Sequence, residues 1–300
     1  MPRPRPHRPG AAWRGALLVC LAALAGPMEA LAARDGFESG LFWRVSRDGI
    51  PDSYVFGTIH VPDPRVAAVP DDVNEALSRS RVLATELVMR VVGDHLGDAE
   101  LLEPPQRLQP LVGDAAYATL VAALAGRDVD AATLARMKPW AALLRLQSTT
   151  QAEGTTLDEN LYVLARSRRL PVRTLESADE QLCAFDAIPL DSQVAVLQHA
   201  LTQPATADAT ERAVRAYLAG DLASLAALPP AARGKAALTR HYRAFTRHLI
   251  DDRTVVMHHG LFVPLRAGGV FVAVGASHLY GPKGLLAMLR DDGYRLTRLR

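Results

Sequence analysis

Cysteine is nearly absent from this 300-residue chain. Of its two, Cys20 lies in an N-terminal apolar run, so beyond that run a single thiol, Cys183, remains and no internal disulfide can form. In the context SADEQLCAF, Cys183 reads as a buried helical residue, an inert core thiol rather than a nucleophile. Excess charge is absent as well: 34 Lys and Arg face 32 Asp and Glu, which leaves no basic surplus for a nucleic-acid surface. His-Glu-x-x-His is missing, and that excludes a zinc site of the thermolysin pattern. No Gly-x-Ser-x-Gly surrounds Ser277, which argues against the nucleophile elbow of an α/β-hydrolase. Solenoid-type repeats are absent, and so is any Gly-, Ser- or Pro-rich linker that would mark a domain boundary.

The first 33 residues stand apart. Arg3, Arg5, Arg8 and Arg14 precede an apolar run at 16–25, and Ala30-Leu31-Ala32 then offers small residues at signal-peptidase spacing. The run is too short to span a bilayer, so a cleaved secretory signal is expected, cut near Ala32 or Ala33, with no stable membrane anchor. Leu17, Leu18 and Val19 precede Cys20 where a lipoprotein site has small residues, so lipidation is not expected. Loss of residues 1–32 removes four basic residues and one acidic one, and the formal charge passes from +2 to −1. With the Ala- and Arg-rich composition, this leader points to export across a bacterial inner membrane into the periplasm. Residues 34–300 are then expected to form one domain.

What the chain does have is apolar residues, 49% of the total, enough to fill a substantial core. Apolar runs at 41–45 and 54–59, parted by a turn-like SRDGIPDS, predict an opening hairpin. A helix over about 70–80 and a strand at 81–88 complete a βαβ pattern, which favours a parallel sheet. Ala- and Leu-rich helices are expected at about 114–125, 130–136 and 139–148, then an amphipathic helix over 157–168 and a short strand at 171–175. Ser177-x-x-Glu180 has the form of a capping box for the next helix. Residues 191–228 and 235–265 again read as helical; strands at 269–275 and 294–299 flank a last helix at 282–291. The expected fold class is α/β: a mixed, largely parallel sheet built from both ends of the chain, with Ala-rich helical insertions between.

Two strands carry the same ending. SYVFGTIHV at 53–61 and GVFVAVGASHL at 269–279 are apolar runs that close in Gly-x-x-His, with Gly57 and His60 in one and Gly275 and His278 in the other. None of the other seven histidines has glycine three residues before it. In open α/β sheets ligands bind beyond the carboxyl ends of the strands, so the glycines would permit tight turns and the two imidazoles would share a crevice. They could ligate a divalent metal, act as acid and base, or merely cap strand ends by hydrogen bonding.

Carboxylates occupy comparable places. Glu86 interrupts the apolar run RVLATELV in a strand expected beside the one carrying His60, where a buried carboxylate needs a partner or a metal. Glu176 follows the strand at 171–175 just as a helix starts, a position that the helix dipole favours by itself. Arg253, after Asp251-Asp252, reads as a solvated or ion-paired helical side chain, and Asp158 as a first-turn helix residue. His258 and His259 are helical neighbours that diverge by about 100° and cannot easily chelate one ion.

Together YVFGTIHV, LATEL, LDENLYVLARSRRLPVRTLESADEQLCAFDAIP, DDRTVVM and the closing VFVAVGASHLYGPKGLLAMLRDDGYRLTRL resemble the TraB/GumN family, from about Gly40 to Leu299. That family includes the TIKI metalloproteases and is related in fold to erythromycin esterases and haem-binding ChaN proteins. The resemblance implies a divalent-metal hydrolase of peptide or ester bonds, using manganese or cobalt ahead of zinc. It implies His60, His278 and Glu86 as metal ligands, with Glu86, Glu176 and Arg253 as catalytic groups. Thr254 stands where the family usually has Asn after that arginine. The alternative implied is a ChaN-like carrier, in which His60 or His278 would be an axial haem ligand.

Overall fold

The computed structural model describes residues 36–87, 97–127, 129–147, 154–203, 207–227, 232 and 235–300. The leader expected at 1–33 lies outside the described residues. Among the described residues no helix is long and apolar enough to cross a membrane.

Six strands form one sheet: β1 (Phe42–Arg47), β2 (Ile50–Thr58), β3 (Val82–Thr85), β4 (Val172–Thr174), β5 (Val270–Gly275) and β6 (Arg295–Arg298). Their order across the sheet is β4-β3-β5-β2-β1-β6. The four strands β4, β3, β5 and β2 are parallel, while β1 runs antiparallel to both β2 and β6. The mixed, largely parallel sheet drawn from both chain ends is therefore what the chain adopts.

Two details differ from expectation. The hairpin turn is much tighter than SRDGIPDS suggests, because Arg47 already pairs with Ile50 across Asp48-Gly49, with Gly49 at φ +76. Asp48 keeps an ordinary negative φ, so this is not the type I′ form, and a register shift between Val45 and Arg47 accommodates the turn. Pro51 is tolerated in β2 because β5 joins only from Tyr54 onward, so no second ladder needs its missing N–H. Secondly, β3 does not lie beside β2. All six residues of β5 are buried, and such a strand takes a central seat with a neighbour on each side.

Helices cover the sheet and build a second core. They include α1 (Asp71–Arg79), α2 (Pro139–Gln147), α3 (Leu157–Ser167), α4 (Ala178–Asp186), α5 (Leu190–Leu201), α6 (Ala207–Leu218), α7 (Ala236–Thr246), α8 (Arg253–Ala267) and α9 (Leu285–Asp291). Thr156 and Glu159 form a capping box on α3, and Ser177 and Glu180 form the expected one on α4. Around the sheet, Phe42, Phe56, Phe271, Val55, Leu83 and Leu77 make one apolar cluster with α1, α8 and α9. A separate cluster, centred on Trp140, Phe185, Met137, Leu120 and Phe245, joins α2, α4, α5 and α7. Trp140 stacks on Phe185 at 4.8 Å and donates its Nε1–H to Asp186 Oδ1 at 2.8 Å. Contrary to expectation Cys183 is exposed, since α4 buries the stripe Ala178, Gln181, Leu182 and Phe185 and turns Cys183 away from it.

Three charged residues mark where the chain crosses between the two cores. Glu86 lies between Ala84 of the sheet cluster and Leu87 of the helical one; Glu176 lies between Leu175 and Leu182; Arg253 lies between Leu249 and Met257. All three are at most 4% exposed.

Candidate functional site

All four parallel strands stop on the same side of the sheet. His60 follows β2 by two residues, Glu86 directly follows β3, Glu176 follows β4 by two, and His278 ends the 3₁₀ turn Ala276–His278 after β5. This is the carboxyl-end crevice where α/β sheets bind ligands. With Arg253 reaching in from α8, it brings together His60, Glu86, Glu176, Arg253 and His278.

The glycines act differently from expectation. Neither Gly57 nor Gly275 has a positive φ; what each provides is space. A Cβ on Gly57 would lie 2.8 Å from Leu279 Cδ1 and 3.1 Å from Ala276, so the 3₁₀ turn could not seat against β2. A Cβ on Gly275 would fall inside the site, 3.0 Å from His60 Nε2, 3.1 Å from Glu86 Oε1 and 3.6 Å from His278 Cδ2.

The two imidazoles are held at their Nδ1 atoms. His60 Nδ1 lies 2.8 Å from Asp158 Oδ2, and Asp158 Oδ1 accepts the Thr58 hydroxyl at 2.6 Å. His278 Nδ1 lies 2.7 Å from Thr254 Oγ1. Both Nε2 atoms then face Glu86: each is 3.8 Å from Glu86 Oε1. His278 Nε2 is buried and has no hydrogen-bond partner.

Glu86 is fixed from its other sides. Its Oε1 accepts the Gly275 backbone N–H, and its Oε2 accepts Arg253 Nη2 at 2.9 Å. The same guanidinium grips Glu176, through Nε to Oε2 at 2.9 Å and through Nη2 to Oε1, while Nη1 donates to the Leu249 carbonyl at 3.2 Å. Gln181 Nε2 lies 3.4 Å from Glu176 Oε1. A π-helical turn, Arg247–Asp252, joins α7 to α8 immediately before Arg253 and Thr254. Such turns recur at functional sites, where the extra residue rotates the next turn of helix.

Burial sets the electrostatics. It works against the charged form of His60, but Asp158 and then Glu86 overcome it and raise that imidazole to about 10. At His278 burial wins, helped by Arg253 and His60 against Glu86, and lowers the ring to about 4. Burial opposes ionisation of Glu86, yet the imidazoles and Arg253 hold it well below the usual carboxylate range. Glu176 is raised, because burial outweighs the guanidinium and Glu86 adds repulsion. Arg253 stays charged against its burial through Glu176 and Glu86. Glu86 and Glu176 flank the single guanidinium of Arg253, and the proton that His60 holds up to about 10 would have to leave for a dication to bind at its Nε2.

A metal's fit can be judged on these atoms. Among the described residues no three His, Cys, Asp or Glu side chains already stand at metal-ligating spacing. Two ligand atoms bonded to one ion at about 2.0–2.2 Å are themselves about 3–3.5 Å apart, so the observed 3.8 Å gaps must close by about half an ångström. The orphaned Nε2 of His278, the carboxylate facing both rings and the missing Cβ of Gly275 all favour such a group. His60, His278 and Glu86 fit it as a set of two nitrogens and one oxygen.

Asp158 and Thr254 are partners of the histidines that sequence reasoning does not find. The signal that comes nearest for Asp158 is the Thr156-x-x-Glu159 capping box, which starts α3 at Leu157 and puts Asp158 in its first turn. His258, set aside as a ligand, pairs with Asp292 Oδ2 at 2.8 Å and packs edge-on against Phe262.

Among curated proteins the chain is similar to metalloprotease TIKI1 of Danio rerio, 25% identical over 313 residues, covering 86% of this chain and 63% of that protein. Human TIKI1 is 25% identical over 314 residues, with 86% and 61% covered. This chain therefore spans about three-fifths of the length of those relatives. No solved structure matches it. The profile of the TraB/PrgY/gumN family matches residues 41–298, nearly the whole of the described fold, and the chain belongs to that family.

Proposed function

We propose that the protein is a divalent-metal-dependent hydrolase of peptide or ester bonds, exported to the periplasm by the leader at 1–33. One observation carries this: the Nε2 atoms of His60 and His278 converge on one oxygen of Glu86, each at 3.8 Å. Similarity to proteins named metalloproteases supports the peptidase-like character. A bound divalent ion, manganese or cobalt before zinc, would polarise the substrate carbonyl and acidify a water molecule.

The chain's own residues have separable tasks. His60, His278 and Glu86 would hold the ion. Glu86, held ionised by the two imidazoles and Arg253, would also be the group to take a proton from attacking water. Arg253 has committed Nε, Nη2 and one hydrogen of Nη1, so its remaining N–H is what it can offer to a developing oxyanion. Glu176 acts through Arg253, holding the guanidinium in place. A substrate is a peptide or small molecule that reaches this crevice.

The carrier alternative finds less support. Haem needs a broad apolar cleft, whereas His278 is 1% exposed and shares its surroundings with Glu86 and Arg253. Metal analysis and thermal shift on residues 34–300 with manganese, cobalt, zinc and haem offered separately test the proposal. Stabilisation by a divalent ion, lost in both His60→Ala and His278→Ala, supports it. Haem binding with no response to any ion overturns it. Glu86→Gln should abolish hydrolysis of peptides and esters found by screening.

A further inference from the structure

Thr254 sits next to Arg253 on α8 and is 1% exposed. Its hydroxyl has one hydrogen to give and two neighbours in range, the Ile250 carbonyl at 2.6 Å and His278 Nδ1 at 2.7 Å. A carbonyl oxygen can only accept, so the hydroxyl hydrogen goes to Ile250 and a hydroxyl lone pair faces the imidazole. His278 must then carry its proton on Nδ1 and donate it to Thr254. The other nitrogen, Nε2, is left as a bare lone pair, and it is one of the buried atoms without a hydrogen-bond partner among the described residues.

We infer that Thr254 is a positioning residue: by accepting from Nδ1 it locks His278 in the tautomer whose Nε2 lone pair is presented to the space between His60 and Glu86. The π-helical turn makes this possible, since its Ile250 carbonyl takes both the Arg253 backbone N–H and the Thr254 hydroxyl. One continuous helix thereby anchors Glu86 through Arg253 and orients His278 through Thr254. His60 is oriented differently, by the carboxylate of Asp158. The site thus has one imidazole backed by a charge and one backed by a neutral hydroxyl. Ligating histidines depend on such partners, whose loss costs about 10–100-fold in metal affinity.

The inference rests on the metal-site assignment above for its purpose, but not for its first readout. Nitrogen-15 NMR of the metal-free protein reports the tautomer of His278 directly. Wild type and Thr254→Ser should show a single form protonated at Nδ1; Thr254→Val, similar in shape without the hydroxyl, should show protonation at Nε2 or a mixture. Manganese and zinc titration calorimetry should then show about a 10–100-fold loss in Thr254→Val and near-complete recovery in Thr254→Ser. Circular dichroism melting establishes that each variant is folded. An unchanged tautomer in folded Thr254→Val overturns the inference. So does a wild-type protein whose His278 carries its proton on Nε2. If wild type binds no ion yet the tautomer depends on Thr254, the function proposed above fails while the lock stands.

Discussion

The backbone of Gly275 faces His60 so closely that a Cβ there would lie 3.0 Å from the imidazole Nε2. The φ of Gly275 is −52, a value any residue adopts, so Gly275→Ala tests that space without straining the chain. The methyl group should displace the imidazole or Glu86 and lower divalent-metal affinity by at least about tenfold, with overpacking costing about 1–3 kcal/mol. Calorimetric titration beside urea denaturation checks both. Wild-type affinity in Gly275→Ala would show that this space is not the metal position.

Arg253 holds two carboxylates in a buried place. Arg253→Met should leave Glu86 and Glu176 buried without their cation and destabilise the fold by about 3–5 kcal/mol. Adding Glu176→Gln to that variant removes one of the uncompensated charges, and part of the loss should return. Equilibrium denaturation of the two variants measures this; equal stability of both would mean that the pairing contributes little.

Asp158 and His60 offer a second test of orientation. Asp158→Asn keeps the shape but removes the charge that faces His60 Nδ1, and metal affinity should fall about 10–100-fold. The expected result is a loss in affinity with a melting temperature close to wild type, read by titration and calorimetry. An unaltered affinity would leave Asp158 with a structural role alone.

Away from the crevice, Glu100 pairs with Arg145 at 2.9 Å, yet burial outweighs the guanidinium and raises this carboxyl to about 7. A carboxyl with a raised folded-state pKa favours folding most at low pH, where it is protonated in both states. Its contribution declines as pH climbs from about 4.5 through 7, by up to about 3 kcal/mol. The stability of wild type relative to Glu100→Gln should therefore fall across about pH 4.5 to 7. A difference that stays flat or rises with pH contradicts the assignment.

Much of this is readable in the chain before any folding. His60, Glu86, Glu176 and His278 stand out because each ends or interrupts an apolar run, and strand ends follow from local sequence. Arg253 is visible only through family resemblance, since beside Asp251 and Asp252 it looks like any solvated helical arginine. Asp158 and Thr254 give no local sign of their partners, which lie 98 and 24 residues away. The Asp-Gly hairpin signal is present at Asp48-Gly49 but is obscured by Pro51, whose lack of an N–H matters only if a second strand pairs there.

The amino-acid sequence by itself determined the strands, their carboxyl-end residues and the helical insertions, because periodicity, capping boxes and glycine placement act over a few residues. Tertiary structure alone decided that β5 sits between β2 and β3, that Gly275 provides space rather than a turn, and that Cys183 faces solvent. It also decided which nitrogen of each histidine is presented to the crevice. Those outcomes depend on close packing and on hydrogen-bond donors meeting acceptors from distant parts of the chain, and no short stretch of sequence encodes such a meeting.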